Sequence, residues 1–312
     1  MTDLFDAPST PIPRDGWGRP KITPPGGGKP VAYTRCTTYV SALEDTYNLT
    51  RWKMRQVALG LADRADLLLS VSAHRDNKKE LDRVADAAME AAQSSAAATT
   101  GTALHTLTEL HDRGQKIGTL PPQARIDLDA YIAETVGLRY VAIEQFRVLD
   151  ALRIGGTADR IIDLDDRYMI GDVKTGDITY GLGKICMQLA VYAHAIAYDA
   201  TTGRAPDAKP MDLNHGLIIH LPSGAGTCEL VWVDIAAGWE AVQLAAAVRR
   251  WRSRKDLIVP NRRGGELLDR IGEFTDLTEM RSWYVELDLR GDATPELLEA
   301  CKRRAAQLQA VG

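Results

Sequence analysis

The sequence predicts an α/β protein in which a central mixed β-sheet is flanked by helices. Three observations carry this. Up to about residue 138 the apolar positions recur at helical spacing, and from Arg139 they switch to a strand-like period. Three runs, "RYVAIEQFRVLD", "LRIGGTADRIIDL" and "YMIGDVKTG", then follow one another across short polar turns. The order helices, β-β-β-α-β-β, helices is that of one sheet with helical wings rather than separate all-α and all-β parts. The expected organisation is a Pro/Gly-rich extended arm over 1–33, a helical region over 34–138, an α/β core over 139–256 and a helical tail over 257–312, forming one domain.

Each element has its own signal. "TTYVSALEDTYNLTRWKMRQVALGLADRADLLL" has helical periodicity, with Thr37 or Thr38 as N-cap candidates. A second helix is expected over Lys78 to Ala98, and its alanines suit close packing. Gly101 precedes "TALHTLTELHDRG", a helix that Gly114 can close as a C′ residue, and "LDAYIAETVG" adds another. After the three strands a helix is expected from Leu182 to Tyr198. Two more strands follow, "HGLIIHLP" and "GTCELVWVDI", and then the amphipathic helix "AAGWEAVQLAAAVRRWRSRK". The tail beyond Pro260 reads as helical pieces, and no internal repeat is visible.

Composition narrows the function classes. The chain has 312 residues, 45% hydrophobic and 26% charged, with a formal net charge of −4. A polyanionic partner must therefore be met by a local basic patch. Cys36, Cys186, Cys228 and Cys301 stand far apart without a C-x-x-C pair, which argues against a zinc ribbon or clustered iron–sulfur site. The segment "MTDLFDAPSTPIPRDG" lacks an apolar signal-peptide core, and no apolar stretch approaches the ~18 residues of a membrane span. A cytoplasmic protein with no membrane partner is expected.

The chemistry concentrates in one hairpin. With a two-residue turn at Asp165-Asp166, cross-strand pairs place Asp159 directly opposite Asp172, with Cβ atoms about 4.5–5.5 Å apart. Lys174 shares a face with Asp172 because strand side chains alternate. Paired carboxylates repel unless something positive lies between them, and a hard divalent cation suits converging oxygens better than the lysine alone. A D-x-K triplet by itself means little: "PDAKP", with Asp207 and Lys209, has the same letters in a proline-bounded loop. The glycines flanking the triplet, Gly171 and Gly176, are expected to leave room for a nucleic-acid backbone.

Two helices aim at the same place. His105 lies one turn after Gly101, whose bare backbone permits close approach, although a lone helical histidine is more often structural. Gln188 and Tyr192 share a helix face, with Lys184 one turn earlier, although such residues are commonly hydrogen-bonded boundary positions. The G-x-x-x-H of Gly101 to His105, "GGTADR", "GDVKTG" and "QLAVY" occur in that order. Together they resemble the PD-(D/E)xK nuclease superfamily, specifically its RecB-type exonuclease branch with a Q-x-x-x-Y signature, known from recombination helicases, CRISPR-associated exonucleases and phage homologues. The resemblance covers Gly101 to Tyr192 closely and the rest loosely.

That resemblance implies a restriction-endonuclease-like core. It implies that His105, Asp159 and Asp172, with the backbone carbonyl of Val173, bind Mg2+ or Mn2+. It makes Lys174 the catalytic lysine beside the catalytic carboxylates Asp159 and Asp172, and gives Gln188 and Tyr192 a role in positioning the strand or supporting the site. Glu144 stands where relatives often carry an acid. The first motif's proline is replaced by "TAD", and the missing C-terminal cysteine cluster implies no iron–sulfur centre.

For the DNA surface, Arg249, Arg250, Arg252, Arg254 and Lys255 surround Trp251, and Arg262 and Arg263 can extend the patch. Interleaved arginines and an aromatic suit single strands; basic residues also favour a helix C-terminus through its dipole. The expected activity is metal-dependent exonucleolytic hydrolysis of linear DNA, at single strands or ends, in phage or bacterial recombination and repair. No P-loop is present, so unwinding would need a helicase or recombinase partner; oligomerisation is left open. The alternatives are a structure-specific endonuclease of the same fold and a non-catalytic DNA-binding recombination partner.

Overall fold

The computed structural model describes residues 11–92, 96–257 and 262–311. Residues 1–10 of the predicted arm lie outside them, as do residues 93–95 of the predicted Lys78 to Ala98 helix, which ends at Ala91 and whose last three residues open the next helix. In chain order the elements are β1 (Lys21–Ile22), β2 (Val31–Ala32), β3 (Thr34–Arg35), α1 (Cys36–Val40), α2 (Tyr47–Asp63), α3 (Ala65–Ala73), α4 (Lys78–Ala91), α5 (Ala96–Asp112) and α6 (Pro122–Thr135). They continue with β4 (Tyr140–Leu149), β5 (Ile154–Asp163), β6 (Tyr168–Lys174), α7 (Leu182–Ala193), β7 (Ile196–Asp199), β8 (Gly203–Ala205), β9 (His215–His220), β10 (Glu229–Asp234) and α8 (Ile235–Arg252). The last three are α9 (Arg262–Glu273), α10 (Leu277–Leu289) and α11 (Pro295–Val311). By packing, the chain divides into Met1–Arg250 and Trp251–Gly312.

The first unit is built on a mixed sheet in the order β10-β9-β6-β5-β4-β7-β8, with β3 pairing alongside β5. The pairs β4–β5 and β5–β6 are antiparallel, whereas β6–β9 is parallel, so the chain returns to the sheet through α7. Apolar side chains leave the sheet on both faces. Ile154, Ala158, Ile161, Ile170 and Ile218 pack on α1, α7 and α8; Ile162, Met169, Val173, Leu217 and Ile219 pack with Leu104 of α5 and Leu128 and Tyr131 of α6. This is a mixed sheet flanked by helices, as the alternation of the sequence predicts, in the restriction-endonuclease-like arrangement that the resemblance implies. The second unit closes on its own cluster of Ile271, Phe274, Met280, Leu297 and Cys301.

Several boundaries differ from the sequence reading, each for a local reason. The long first helix is three. Asp45 accepts the Tyr47 amide at 2.9 Å and starts α2 afresh, and the residue capping α1 is Arg35 rather than a threonine. Gly101 lies inside α5, not before it. Gly114 does end that helix in the left-handed region (φ 65°), with the Gln115 amide bonded to the Leu110 carbonyl at 2.8 Å. The helix expected through Tyr198 stops at Ala193, and Ile196–Asp199 joins the sheet edge, where Tyr198 is buried against Ile22, Tyr33 and Val148. Helix propensity of the alanines yields there to tertiary packing.

Helix α7 is held at its C-terminal end and from behind. Buried Arg147 donates from Nε to the Tyr192 carbonyl (2.9 Å) and from Nη2 to the Ala195 carbonyl (2.6 Å), a cation at a helix C-terminus. Asp207 of the "PDAKP" loop balances that guanidinium at 2.9 and 2.6 Å. Behind α7, a Cβ on Gly238 would stand 2.5 Å from the Cys186 carbonyl oxygen. Gly238→Ala should therefore unseat α8 from α7 and lower stability by about 1–3 kcal/mol, read as a fall in thermal midpoint; an unchanged melt would contradict this packing.

Candidate metal centre

The β5–β6 hairpin has the register that a two-residue turn demands. Arg160 pairs with Gly171, Ile161 with Ile170, Ile162 with Met169 and Asp163 with Tyr168, and the Leu164 amide bonds the Arg167 carbonyl at 2.9 Å. The paired ladder stops one pair short of Asp159 and Asp172, and the Asp159 carboxylate itself accepts the Val173 amide at 2.9 Å. Val173 thus enters the site through its N–H.

Side-chain alternation also breaks at Asp159. Ala158 and Ile161 face the α7 side, whereas Arg160 reaches α5, as does Ile162's cluster. On the neighbouring strand, Ile143 pairs with Arg160 and Gln145 with Ala158, and Glu144 between them adopts φ 54°. A left-handed non-glycine residue costs about 1–2 kcal/mol and persists only where its surroundings impose it. The distortion points two acids into one space: one ligand atom each of His105, Glu144 and Asp159 lies within 4.8 Å of the others.

Within this cluster, His105 Nε2 lies 2.9 Å from Asp159 Oδ2 and 3.7 Å from Glu144 Oε1. Asp172 is 1% exposed and ion-paired with Lys174. Apart from that ion pair neither of its oxygens has a hydrogen bond among the described residues, and buried Glu144 Oε1 has none among them either. Buried carboxylate oxygens without donors are costly. A divalent cation, which takes oxygen and imidazole ligands, fits this donor set and would satisfy them. Of the residues that the sequence singled out, His105, Glu144 and Asp159 bring ligand atoms together, whereas Asp172 lies outside that group, paired with Lys174 and within reach of the charge of Asp159.

The charges of the site answer one another. Burial, and then the charge of Asp159, pushes the Asp172 carboxyl up to about 7, and the same two causes raise Glu144 to about 7. For Asp159 burial opposes ionisation, but His105, Lys174 and the Val173 amide together hold it below the usual carboxylate range. The hydrogen bond to Asp159 raises His105. For Lys174, burial disfavours the charge, yet Asp172 and Asp159 outweigh it and hold the ammonium above its ordinary value.

A second layer, not picked out from the sequence, holds the strand that carries Asp159. Arg160 is buried; it donates to Asp112 Oδ2 (2.6 Å), to Thr108 Oγ1 (3.2 Å) and to the Asp159 carbonyl (2.9 Å). Tyr131 donates to the same Asp112 oxygen at 2.6 Å. The readable signal was the spacing of His105, Thr108 and Asp112 on α5, which lines three polar groups along one inward stripe.

The two glycines of "GGTADR" also have assignable work. A Cβ on Gly156 would lie 2.7 Å from the Tyr192 hydroxyl, 2.9 Å from its ring and 3.0 Å from Cys36 Cβ, and on Gly155 3.0 Å from Phe146. Tyr192 is buried beneath the sheet in one cluster with Cys36, whose Sγ donates to the Gln188 carbonyl at 3.9 Å. Gln188 is half-buried on the same helix face, and its amide has no partner among the described residues. For Gly171 the expectation of nucleic-acid access needs correcting: a Cβ there would meet Ile162 at 2.8 Å and Arg160 at 3.3 Å inside the core, so it serves strand packing. Gly176 faces open space, as expected.

Outside the centre lies a cleft of about 560 Å3 lined by Gly101, Thr102, His105, Thr175, Gly176 and Ser223. Its floor is pinned where β6 ends: Leu221 and Ser223 amides bond the Lys174 and Thr175 carbonyls at 2.8 and 3.0 Å. Gly101 lets α5 touch this floor, since a Cβ there would be 2.5 Å from Thr175 Oγ1. Of the predicted basic patch, Arg249 lies over the Tyr39 ring at 4.7 Å, Arg250 and Arg252 are exposed, and Arg254 pairs with Asp256 at 2.8 Å. The side chains of Arg262 and Arg263 lie outside the described residues.

Residues 75–215 match the family model of the PD-(D/E)XK nuclease superfamily. That span contains every residue of the acidic centre, Lys174, Gln188 and Tyr192, and the match supports the superfamily, whose members are in general metal-using nucleases. No curated protein matches the chain. Among the described residues no helix is long and apolar enough to cross a membrane.

Two outcomes follow. Gly156→Ala should destabilise the fold by about 1–3 kcal/mol, and adding Tyr192→Phe should return part of that loss by removing the nearest clashing atom; thermal melts of the four-member cycle measure it, and strict additivity would contradict the contact. Asp172 and Glu144 have folded values above their unfolded ones (3.8 and 4.5, both to about 7), and His105 is raised too. All three bind more protons folded than unfolded, so without metal their contribution to stability falls as pH rises from about 4 through 7. A cation must displace those protons. Scanning fluorimetry should show a larger Mn2+-induced rise in midpoint at pH 8 than at pH 6, and the reverse order would contradict the assignment.

Proposed function

We propose that the chain is a divalent-metal-dependent DNA exonuclease of the RecB type that hydrolyses phosphodiester bonds at the ends of linear DNA. The observation that carries this is the cluster of His105, Glu144 and Asp159, together with the buried Asp172, whose oxygens have the Lys174 ammonium and otherwise no donor among the described residues. Asp159 and Asp172 would hold Mg2+ or Mn2+, with Glu144, His105 and the Val173 carbonyl completing the ligand set. When bound, such an ion supplies Lewis-acid polarisation of a phosphate oxygen and a water of lowered pKa.

The chain's own groups do the rest. Lys174 remains cationic because two carboxylates hold its proton, so it can donate hydrogen bonds to a phosphate oxygen as negative charge develops. Its ammonium also offsets the repulsion between the acids. Arg160, through the Asp159 carbonyl, fixes the first acid; the amide of Val173 fixes the angle of its carboxylate. Tyr192 supports β5 from below, and Gln188, with an unoccupied amide, is available to a strand lying along α7. Arg249, Arg250 and Arg252 are the proposed phosphate contacts at the end of α8, and a helicase or recombinase supplies any unwinding.

Labelled linear DNA should be degraded with Mg2+ or Mn2+, and excess chelator should stop it. Asp172→Asn and Lys174→Ala should each reduce the rate by about 10²–10³-fold. Covalently closed circular DNA should survive; its cleavage would replace the exonuclease with an endonuclease of the same fold, and undiminished digestion by both variants would overturn the site.

A further inference from the structure

Helix α2 begins with a surface that the rest of the fold leaves unused. Every residue from Tyr47 to Arg55 is exposed, and α2 first packs on its neighbours further along, at Val57, Gly60 and Leu61. A surface helix ordinarily hides an apolar stripe; here Tyr47 (68% exposed), Trp52 (37%) and Met54 (58%) stay in solvent. Arg51, Lys53 and Arg55 lie among them, and from Tyr47 no acid occurs until Asp63, in a chain whose net charge is −4.

Arg51 and Arg55 sit one turn apart on one face, and like charges so placed repel by about 0.2–0.5 kcal/mol. Neither guanidinium has a hydrogen bond or ion pair among the described residues. A cationic stripe with aromatic side chains set into it matches the chemistry of a single nucleic-acid strand: phosphates for the arginines, base faces for the rings. Lys53 already feels Glu44 and is left out of the stripe.

The stripe adjoins a groove of about 880 Å3 lined by Asn48 and Leu49 of α2, by Glu44 and Asp45 just before it, and by Tyr180 and Lys184. Tyr180 is 96% exposed and stands six residues after Lys174. Lys184, bonded to Glu44 at 2.9 Å, opens α7, one turn before Gln188 and two before Tyr192. Eight residues of helix rise about 12 Å, close to three or four stacked nucleotides at about 3.4 Å each.

We propose that the exposed start of α2 and the groove under Tyr180 form a track that binds a single strand of nucleic acid running to the metal centre. The track rests on the nuclease reading for its direction. The α2 part of it lies outside the span matched by the superfamily model. Tyr180 and Trp52 offer faces to bases, and Arg51 and Arg55 take phosphates.

Fluorescence anisotropy of a labelled oligothymidylate with the full chain in chelator, where no cleavage interferes, tests this. Tyr180→Ala should weaken binding by about 5- to 100-fold, the range of one lost base stack, and Tyr180→Phe should restore it, which separates stacking from misfolding. Arg51→Ser with Arg55→Ser should lower the slope of log affinity against log salt by about 1.4, two single-strand phosphate contacts. Lys78→Ser with Lys79→Ser on α4 is the charge-matched control. Equal loss in that control, or unchanged binding in the α2 and Tyr180 variants, overturns the track. So does binding to phosphatidylserine vesicles that the same variants abolish, which would make the face a membrane contact. Hydrolysis of bis(4-nitrophenyl) phosphate by the wild type with Mn2+ reads the metal centre separately. Cleavage of that diester with unchanged oligonucleotide binding in the variants overturns the track and leaves the nuclease reading. No cleavage of it or of DNA, with binding that follows the variants, overturns the nuclease reading and supports the track.

Discussion

Asp159 and Asp172 are two carboxylates at the open end of a hairpin, and the fold removes nearly all water from both. Like charges held in this way are costly, and the surroundings are arranged around that cost. Val173 and His105 donate to the first acid, Lys174 faces the second, and burial drives Asp172 and Glu144 toward the protonated form. In the metal-free chain, protons and one ammonium thus stand in for a cation. The same energetics tie metal binding to pH and to stability, because whatever displaces those protons also relieves the buried charge.

The rest of the first unit is scaffolding for that end of the hairpin. Arg160 and Asp112 lock β5 to α5, so that the histidine and the acid reach each other from different elements. Arg147 and Asp207 hold the C-terminal end of α7, and Gly238 lets α8 press on its back. Buried ion pairs of this kind add little net stability but are severe to break. They act here as locators: each fixes a backbone that carries one member of the site. Rigid helices and strands hold the acids, while the cleft and the α2 face remain open to a polymer.

Much of this was legible in the sequence, and the limits are physical. The two-residue turn at Asp165-Asp166 fixed the register as far as Arg160 and Gly171, but the ladder ends one pair short of Asp159 and Asp172, where the Asp159 side chain takes the Val173 amide. His105 and the face shared by Gln188 and Tyr192 followed from helical spacing. Strand periodicity could not see the left-handed backbone at Glu144, because a positive φ at a glutamate is imposed by tertiary contacts and has no local signal. The same blindness covers Gly171 and Gly156: a glycine in a strand announces close approach without saying of what, and here the neighbours are Ile162 and Tyr192. "PDAKP" was separable from "GDVKTG" by its prolines, but its role as the counter-charge of a buried arginine depends on residues 60 positions away. The second β-hairpin, Ile196–Asp199 with Gly203–Ala205, was hidden by alanines that favour helix; its signal was the Asp199 side chain capping Thr201 and Thr202 at the turn.

The account stands or falls on whether these acids gather a metal ion. An anomalous difference map from crystals soaked in saturating Mn2+ asks this directly. The account predicts a peak about 2.0–2.2 Å from oxygens of both Asp159 and Asp172, with Glu144 or His105 beside it and Lys174 displaced from full contact with Asp172. The absence of a peak there, or acids that turn away from a manganese ion bound elsewhere, would contradict it.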